Sequence, residues 1–176
     1  MSKHWYVVQV FRGKEDIFID RLKQHVDYNV FTPKQVQLFK RKDRVIKVLK
    51  PMFSGYIFVE TDEDYKAFRE FYQQSISIIE GCIKVLRYKD EVDALYPHER
   101  LFIERFVNKD KVIDSSIGFI EGDHIKIIEG PLVGNESLIK KINRHKQTAL
   151  VEITLFGELQ SIELSCEIIT KTDEVI

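Results

Sequence analysis

Lys140-Lys141-Ile142-Asn143-Arg144-His145-Lys146 packs four cations and a histidine into one short run with no acid. A cationic loop that also offers Asn and His side chains can hold phosphates and hydrogen-bond unpaired bases, the usual way RNA loops and bulges are recognised. Lys140, Lys141, Asn143, Arg144, His145 and Lys146 are therefore candidate RNA contacts. The plainer alternative is a polar β-turn, which these residue types suit equally well. A second basic island runs from Lys34 to Lys50, with seven Lys/Arg and one Asp. At its middle, Lys40, Arg41, Lys42 and Arg44 either contact phosphates, with steep salt dependence, or form a solvated hairpin end.

Phe53 and Tyr56 flank Ser54-Gly55, three residues apart. Such aromatic residues are either core or the anchors of an exposed docking patch. Catalytic chemistry finds no comparable signal. His4, His25, His98, His124 and His145 are scattered, with no HExxH, HxH, phosphate-binding loop or GxSxG motif. Asp62-Glu63-Asp64 opens a helical pattern and is explained by the helix dipole. No acid pair is identifiable as a general acid and base. The expectation is a protein without enzymatic activity, metal or cofactor. Cys82 and Cys166 have no CxxC partner, which predicts two reduced and mostly buried thiols.

The elements that must position these residues change character along the chain. Trp5 to Phe11 is rich in aromatic and β-branched residues and predicts a strand. Residues 14–26 have amphipathic helical spacing. Val36–Lys40 and Arg44–Leu49 predict a hairpin around Arg41-Lys42-Asp43, with Val36, Leu38, Val45 and Val48 as its apolar contacts. Pro51 to Gly55 is a turn into the strand Tyr56–Val59. Thr61 or Asp62 is expected to cap a helix through Tyr65, Phe68, Arg69 and Tyr72. Ile76–Leu86 holds one or two short strands around Gly81, and Pro97 starts another helix. Residues 108–116 are poor in core residues and read as a linker. Beyond them helical periods vanish, and short strands alternate with turns, as in a small β-barrel.

The 176 residues carry a formal net charge of -1, which excludes a uniformly basic nucleic-acid coat. The figure is an average. Residues 1–116 hold 21 Lys+Arg against 18 Asp+Glu, a balance of +3, and the remainder hold 6 against 10, a balance of -4. Local basic patches are compatible with both. No apolar run approaches the ~20 residues needed to span a bilayer, and the first residues do not read as a signal peptide, so a cytoplasmic chain is expected.

Three segments in order carry a resemblance. They are Trp5-Tyr6-Val7-Val8-Gln9, then Pro51-Met52-Phe53-Ser54-Gly55-Tyr56-Ile57-Phe58-Val59, and then Gly122-Asp123 with Gly130-Pro131-Leu132 and Val151-Glu152-Ile153-Thr154-Leu155-Phe156-Gly157. Together they resemble the NusG family of transcription elongation factors, the last looking like its KOW module. The resemblance implies an α+β chain: an N-terminal α/β sandwich over residues 1–107, a linker at 108–116, and a C-terminal five-stranded SH3-like β-barrel over 117–176. It implies that Phe53 and Tyr56, with Tyr6 and Gln9 on the opening strand, dock on the β′ clamp helices of RNA polymerase. Arg12, Lys14 and Arg21 lie near positions where a relative reads exposed non-template DNA. The Phe156-Gly157 turn matches one that contacts ribosomal protein S10 or the termination factor Rho. Ser54 replaces a usual proline, Ser137 a usual glycine, and Glu158 a frequent arginine. With the 140–146 run, these departures resemble the specialised LoaP type of antiterminator. That type implies a monomeric factor that binds an RNA hairpin in the nascent leader transcript and promotes processive elongation through terminators. The alternatives are a general housekeeping elongation factor and a KOW RNA-binding protein of translation or ribosome assembly.

Overall fold

Trp5, Tyr6, Val7 and Val8 are all at 1% exposure or less, because this continuous apolar run is covered on both faces of a sheet. The computed structural model describes residues 3–42, 44–89 and 94–169. In chain order they form β1 (His4–Val10), α1 (Glu15–Lys23), β2 (Asn29–Phe31), β3 (Lys34–Arg41), β4 (Arg44–Pro51), β5 (Tyr56–Thr61), α2 (Tyr65–Phe71), β6 (Cys82–Val85), α3 (Pro97–Phe106), β7 (Val112–Ile113), β8 (Ser116–Glu121), β9 (His124–Glu129), β10 (Ile139–Asn143), β11 (Thr148–Leu155) and β12 (Glu158–Ile168). The fold is of the α+β class, with few helices and many strands.

Two compact units result, one of Met1–Pro33 with Pro51–Leu101, the other of Lys34–Lys50 with Phe102–Ile176. These differ from the boundaries expected at 107 and 117. The hairpin groups with the later residues because β3 pairs in parallel with β7, Lys34 opposite Val112 and Gln35 opposite Ile113. Those partners lie inside the stretch read as a linker, and Ile113 is buried.

The first unit is built on a sheet of order β2-β5-β1-β6. Tyr6, Val8, Val10, Ile57 and Val59 share a core with Phe18, Ile19 and Leu22 of α1 and Phe68 of α2. The Tyr6 ring stacks on Phe68 at 3.8 Å, and its hydroxyl donates to the Glu63 carbonyl at 3.1 Å. Alternation sends Trp5, Val7 and Phe58 to the opposite face. There Trp5 meets Phe31 edge-on at 5.1 Å. Asp64, rather than Thr61 or Asp62, caps α2 by accepting from the Ala67 amide at 2.9 Å. β5 runs through Thr61, and its hydroxyl is taken up by the Glu63 amide at 3.1 Å, so the helix begins later. A π-helical turn, Tyr72–Ile76, continues α2. Cys82–Val85 is the strand realised within Ile76–Leu86. Where the chain leaves and re-enters this unit, the Met52 amide donates to the Pro33 carbonyl at 2.7 Å.

The second unit contains a five-stranded sheet of order β10-β11-β12-β8-β9. The 11-residue β12 links its halves, antiparallel to β11 along Thr148–Leu155 and parallel to β8 near Cys166. Ala149, Val151, Ile153 and Leu155 of β11 are buried, as are Ile162, Leu164 and Cys166 of β12. Gly130 needs its left-handed backbone (φ +94°), and a Cβ there would lie 2.6 Å from the Ser115 carbonyl oxygen. Ser137 sits in a short 3-10 turn, Glu136–Leu138, with no positive φ, so the serine is not strained; the left-handed conformation falls at Gly134 instead.

β4 is the edge strand of a separate sheet of order β4-β3-β7. Val45 and Val48, expected as apolar contacts, are 57% and 37% exposed, and Ile46 and Leu49 are exposed beside them. Adjacent apolar pairs cannot share one face of a strand, so Val45-Ile46 and Val48-Leu49 must point both ways. Val36 and Leu38 on β3 are half-buried.

Candidate functional site

Register assembles a row across the first sheet that spacing alone does not reveal. Gln9 stands opposite Tyr56 on one side and Lys84 on the other. All three are on the face that carries Trp5, Val7 and Phe58. Tyr56 and Gln9 are half-buried and Lys84 is exposed. Phe53, also half-buried, lies 6.0 Å from Phe58. Neither aromatic ring is fully core, so both keep area for a partner. Tyr6 does not belong with them. One residue along a strand reverses the face, and Tyr6 is spent in the core against Phe68.

A buried carboxylate fixes the turn between these rings. Glu15, at the start of α1, is 3% exposed. Its Oε1 accepts from the Gly55 amide at 2.5 Å and from the Ser54 hydroxyl at 3.4 Å. Gly55 has φ +86°, and a Cβ would lie 3.0 Å from Arg12 Cγ and 3.3 Å from the Val10 carbonyl oxygen. The Gly55 carbonyl in turn accepts from the Val10 amide at 2.8 Å. Ser54 thus adds a donor where the resembling motif has proline. Glu15 was missed by sequence reasoning because an acid in a first helical turn ordinarily reads as a dipole partner. Lys84 was missed because β6 reaches β1 only through the tertiary fold.

The remaining cations are placed unevenly. Lys14 and Arg21 border one shallow pocket with Phe11, Ile17, Phe18 and Gly81, and Arg21 reaches Glu80 at 3.5 Å. Arg12 is exposed, its stem against Gly55 rather than in that pocket. At the hairpin tip Arg41, Lys42 and Arg44 are exposed, Lys42 with φ +53°. Asp43 and the side chain of Lys40 lie outside the described residues.

A bulge shapes the third cluster. Ile139 stands opposite Val151, and Lys141 opposite Leu150, so Lys140 is the extra residue on β10. Ile139 and Ile142, three apart, would face opposite sides of a regular strand. The extra residue leaves both half-buried and both lysines exposed. The following turn is internally fastened. Asn143 Oδ1 accepts from the Lys146 amide at 2.9 Å. Gln147, at φ +53°, donates through Nε2 to the Arg144 carbonyl at 2.6 Å and accepts from the Ile168 amide at 2.9 Å. Asn143 therefore spends its carbonyl oxygen on the turn, while Arg144, His145 and Lys146 remain exposed on top. Lys140 lies 3.5 Å from Glu152 and Lys146 3.9 Å from Glu163. Lys141 and Arg144 have no carboxylate partner among the described residues.

Phe156 and Gly157 are the two-residue connection of the β11–β12 hairpin, since Leu155 pairs with Glu158. Both have positive φ, +55° and +71°, matching the mirror-image turn that such hairpins prefer. An aromatic side chain is costly in that region. Phe156→Asn is expected to be about 1 kcal/mol more stable than Phe156→Ala in a reversible denaturant titration of the full chain, since both lose the half-buried ring and only asparagine tolerates the left-handed backbone. Burial pushes both thiols up, Cys166 to about 11, so neither is an activated nucleophile at neutral pH. Among the described residues no His, Cys, Asp and Glu group is arranged to hold a metal ion. No helix among them is long and apolar enough to cross a membrane.

The family model "Transcription termination factor nusG" matches residues 3–99, more than half the chain. These residues include the opening strand, the Phe53–Tyr56 turn and Glu15. Three relatives each bear the description "Transcription termination/antitermination protein NusG". The Halalkalibacterium halodurans protein is 24% identical over 175 residues, 93% of this chain and 96% of the relative. That of Thermus thermophilus is 22% identical over 188 residues, 97% and 100%. That of Bacillus subtilis is 24% identical over 175 residues, 93% and 96%. The solved structure "Domain interaction in Thermotoga maritima NusG" matches 94% of both chains with a TM-score of 0.50 at 19% identity, a likeness of fold. With the motif turn, its two flanking aromatic residues and the strand beside them all inside the matched segment, the chain belongs to the NusG family.

Proposed function

We propose that the chain is a transcription elongation and antitermination factor that acts on RNA polymerase without catalysing a reaction. Its relatives are transcription termination/antitermination proteins matched over nearly their whole length. The observation that carries the docking surface is the half-buried pair Phe53 and Tyr56, on either side of the fastened Ser54-Gly55 turn. Aromatic anchors with a polar neighbour suit a protein interface, and the occupant fitting the family is the clamp-helix region of the polymerase β′ subunit. Gln9 and Lys84 extend that surface. Residues 1–107 would supply the polymerase-binding part and residues 117–176 the KOW part, in a monomeric cytoplasmic protein. The Phe156-Gly157 turn is the contact for a protein partner such as ribosomal protein S10.

The finer reading is that the chain is a LoaP-like specialised paralogue, holding a leader RNA hairpin on its cationic turn so that polymerase passes terminators. The β10 bulge supports it, because it leaves both Lys140 and Lys141 exposed on the strand that leads into the turn carrying Arg144 and His145. Nucleic-acid contact at Arg41, Lys42 and Arg44, or at Arg12, Lys14 and Arg21, is a lesser component of the same reading. Filter binding with leader RNA tests it. Lys141→Ala with Arg144→Ala is expected to lower affinity at least tenfold and to flatten the salt dependence by about 1.4 in slope, as loss of two phosphate contacts on single-stranded RNA requires. Unchanged affinity and slope would remove RNA from the proposal and leave a polymerase factor of the general type.

A further inference from the structure

Two carboxylates stand among the cations of the turn. Along β11, Thr148, Leu150, Glu152 and Thr154 alternate with the buried residues and so point outward. Register sets Glu163 opposite Leu150, and Leu150 is itself opposite Lys141 at the bulge. Glu152 and Glu163 thus belong to the outer face that continues from the lysine bulge. The first reaches Lys140 at 3.5 Å and the second Lys146 at 3.9 Å, with all four side chains a third to three-fifths exposed. Of the four formal cations in the run, two are held and two are not.

We propose that Glu152 and Glu163 are specificity-determining residues, which withhold Lys140 and Lys146 from indiscriminate polyanions; this rests on the RNA reading above. A lysine already paired with a carboxylate gains less from a bare phosphate chain, because part of that gain is offset by the pair it breaks. Half-exposed pairs are weak enough to yield when a ligand supplies additional hydrogen bonds. Arg144 and His145 on the fastened turn, and the Nδ2 amide of Asn143, are the groups that offer them. An RNA whose unpaired bases engage the turn would displace both carboxylates, and a featureless strand would meet only Lys141 and Arg144. The same arrangement reconciles a cationic loop with an otherwise acidic unit, since the local charge is partly neutralised until the right ligand arrives.

The test titrates the full chain with two probes, a ~20-nucleotide oligo(U) RNA and an RNA hairpin with an unpaired loop, across about 50 to 200 mM salt. Glu152→Gln with Glu163→Gln is compared with a charge-matched control, Glu129→Gln with Glu167→Gln. The first variant should bind oligo(U) about tenfold tighter at the lowest salt and steepen the salt slope by about 1.4, the increment for two further phosphates on a single strand. The hairpin should gain less, so that discrimination falls, and the control should stay near wild type on both probes. Equal gains on both probes, an unchanged slope, or the same gain in the control would overturn the inference. If Lys141→Ala with Arg144→Ala alters neither probe, the RNA reading itself has failed. If that pair matters while the Gln variant changes nothing, only the role given to Glu152 and Glu163 is lost.

Discussion

Phe53→Ala combined with Tyr56→Ala lowers affinity for core RNA polymerase by about 100-fold, corresponding to roughly 3 kcal/mol for two aromatic anchors. The fold should survive. Both rings are half-buried, and truncation removes the packing of Phe53 against Phe58, whose ring centres are 6.0 Å apart. A partly exposed ring removed from a sheet margin costs less than a core aromatic, whose truncation costs about 3–5 kcal/mol. Anisotropy titration of labelled protein with polymerase measures the first quantity, and a circular dichroism melt the second. A variant that melts near room temperature would mean the pair is core after all. A folded variant with wild-type affinity would move the docking surface elsewhere.

Glu15→Ala is expected to destabilise the first unit by about 3 kcal/mol, in the range for a buried carboxylate's hydrogen-bonding role. The variant strands the Gly55 amide at the bend and leaves a void where the carboxylate lay at 3% exposure. Glu15→Gln keeps an oxygen for the Gly55 amide and should recover about half of the loss. The melting midpoint should fall by on the order of 10 °C for alanine. Because Glu15 ties α1 to the turn, alanine should also weaken polymerase binding, without itself touching the partner. Equal melting of alanine and glutamine variants with wild type would show that the turn is held by its backbone alone.

Local information was largely legible. Trp5 to Val10, Tyr56 to Val59 and the helix from Pro97 form where composition and caps say, since each is decided by neighbours in sequence. The Phe53–Tyr56 turn was recognisable for the same reason. What escaped the sequence depends on pairing between distant segments. Lys34 meets Val112, which converts an apparent linker into a strand. Tyr6 and Gln9 looked equivalent until strand phase put one in the core and the other beside Tyr56. The bulge at Lys140 is a single-residue shift of phase, and nothing in Ile139-Lys140-Lys141-Ile142 marks which lysine is extra. A preference for regular alternation would have hidden one of them.

The hydrogen bond from Met52 to the Pro33 carbonyl has a consequence for how such a chain can change. It closes the neck of the excursion that carries β3 and β4, and a proline stands at either side, Pro33 and Pro51. Chain ends already held together impose little further closure entropy on whatever lies between them. Beyond Gln35, whose pairing with Ile113 anchors β3 to β7, the hairpin can therefore be lengthened, shortened or recharged while the sheet built on β1 and β5 keeps its geometry. Evolution can treat it as an exchangeable cassette, diversifying what the hairpin touches without renegotiating the surface that carries Phe53 and Tyr56.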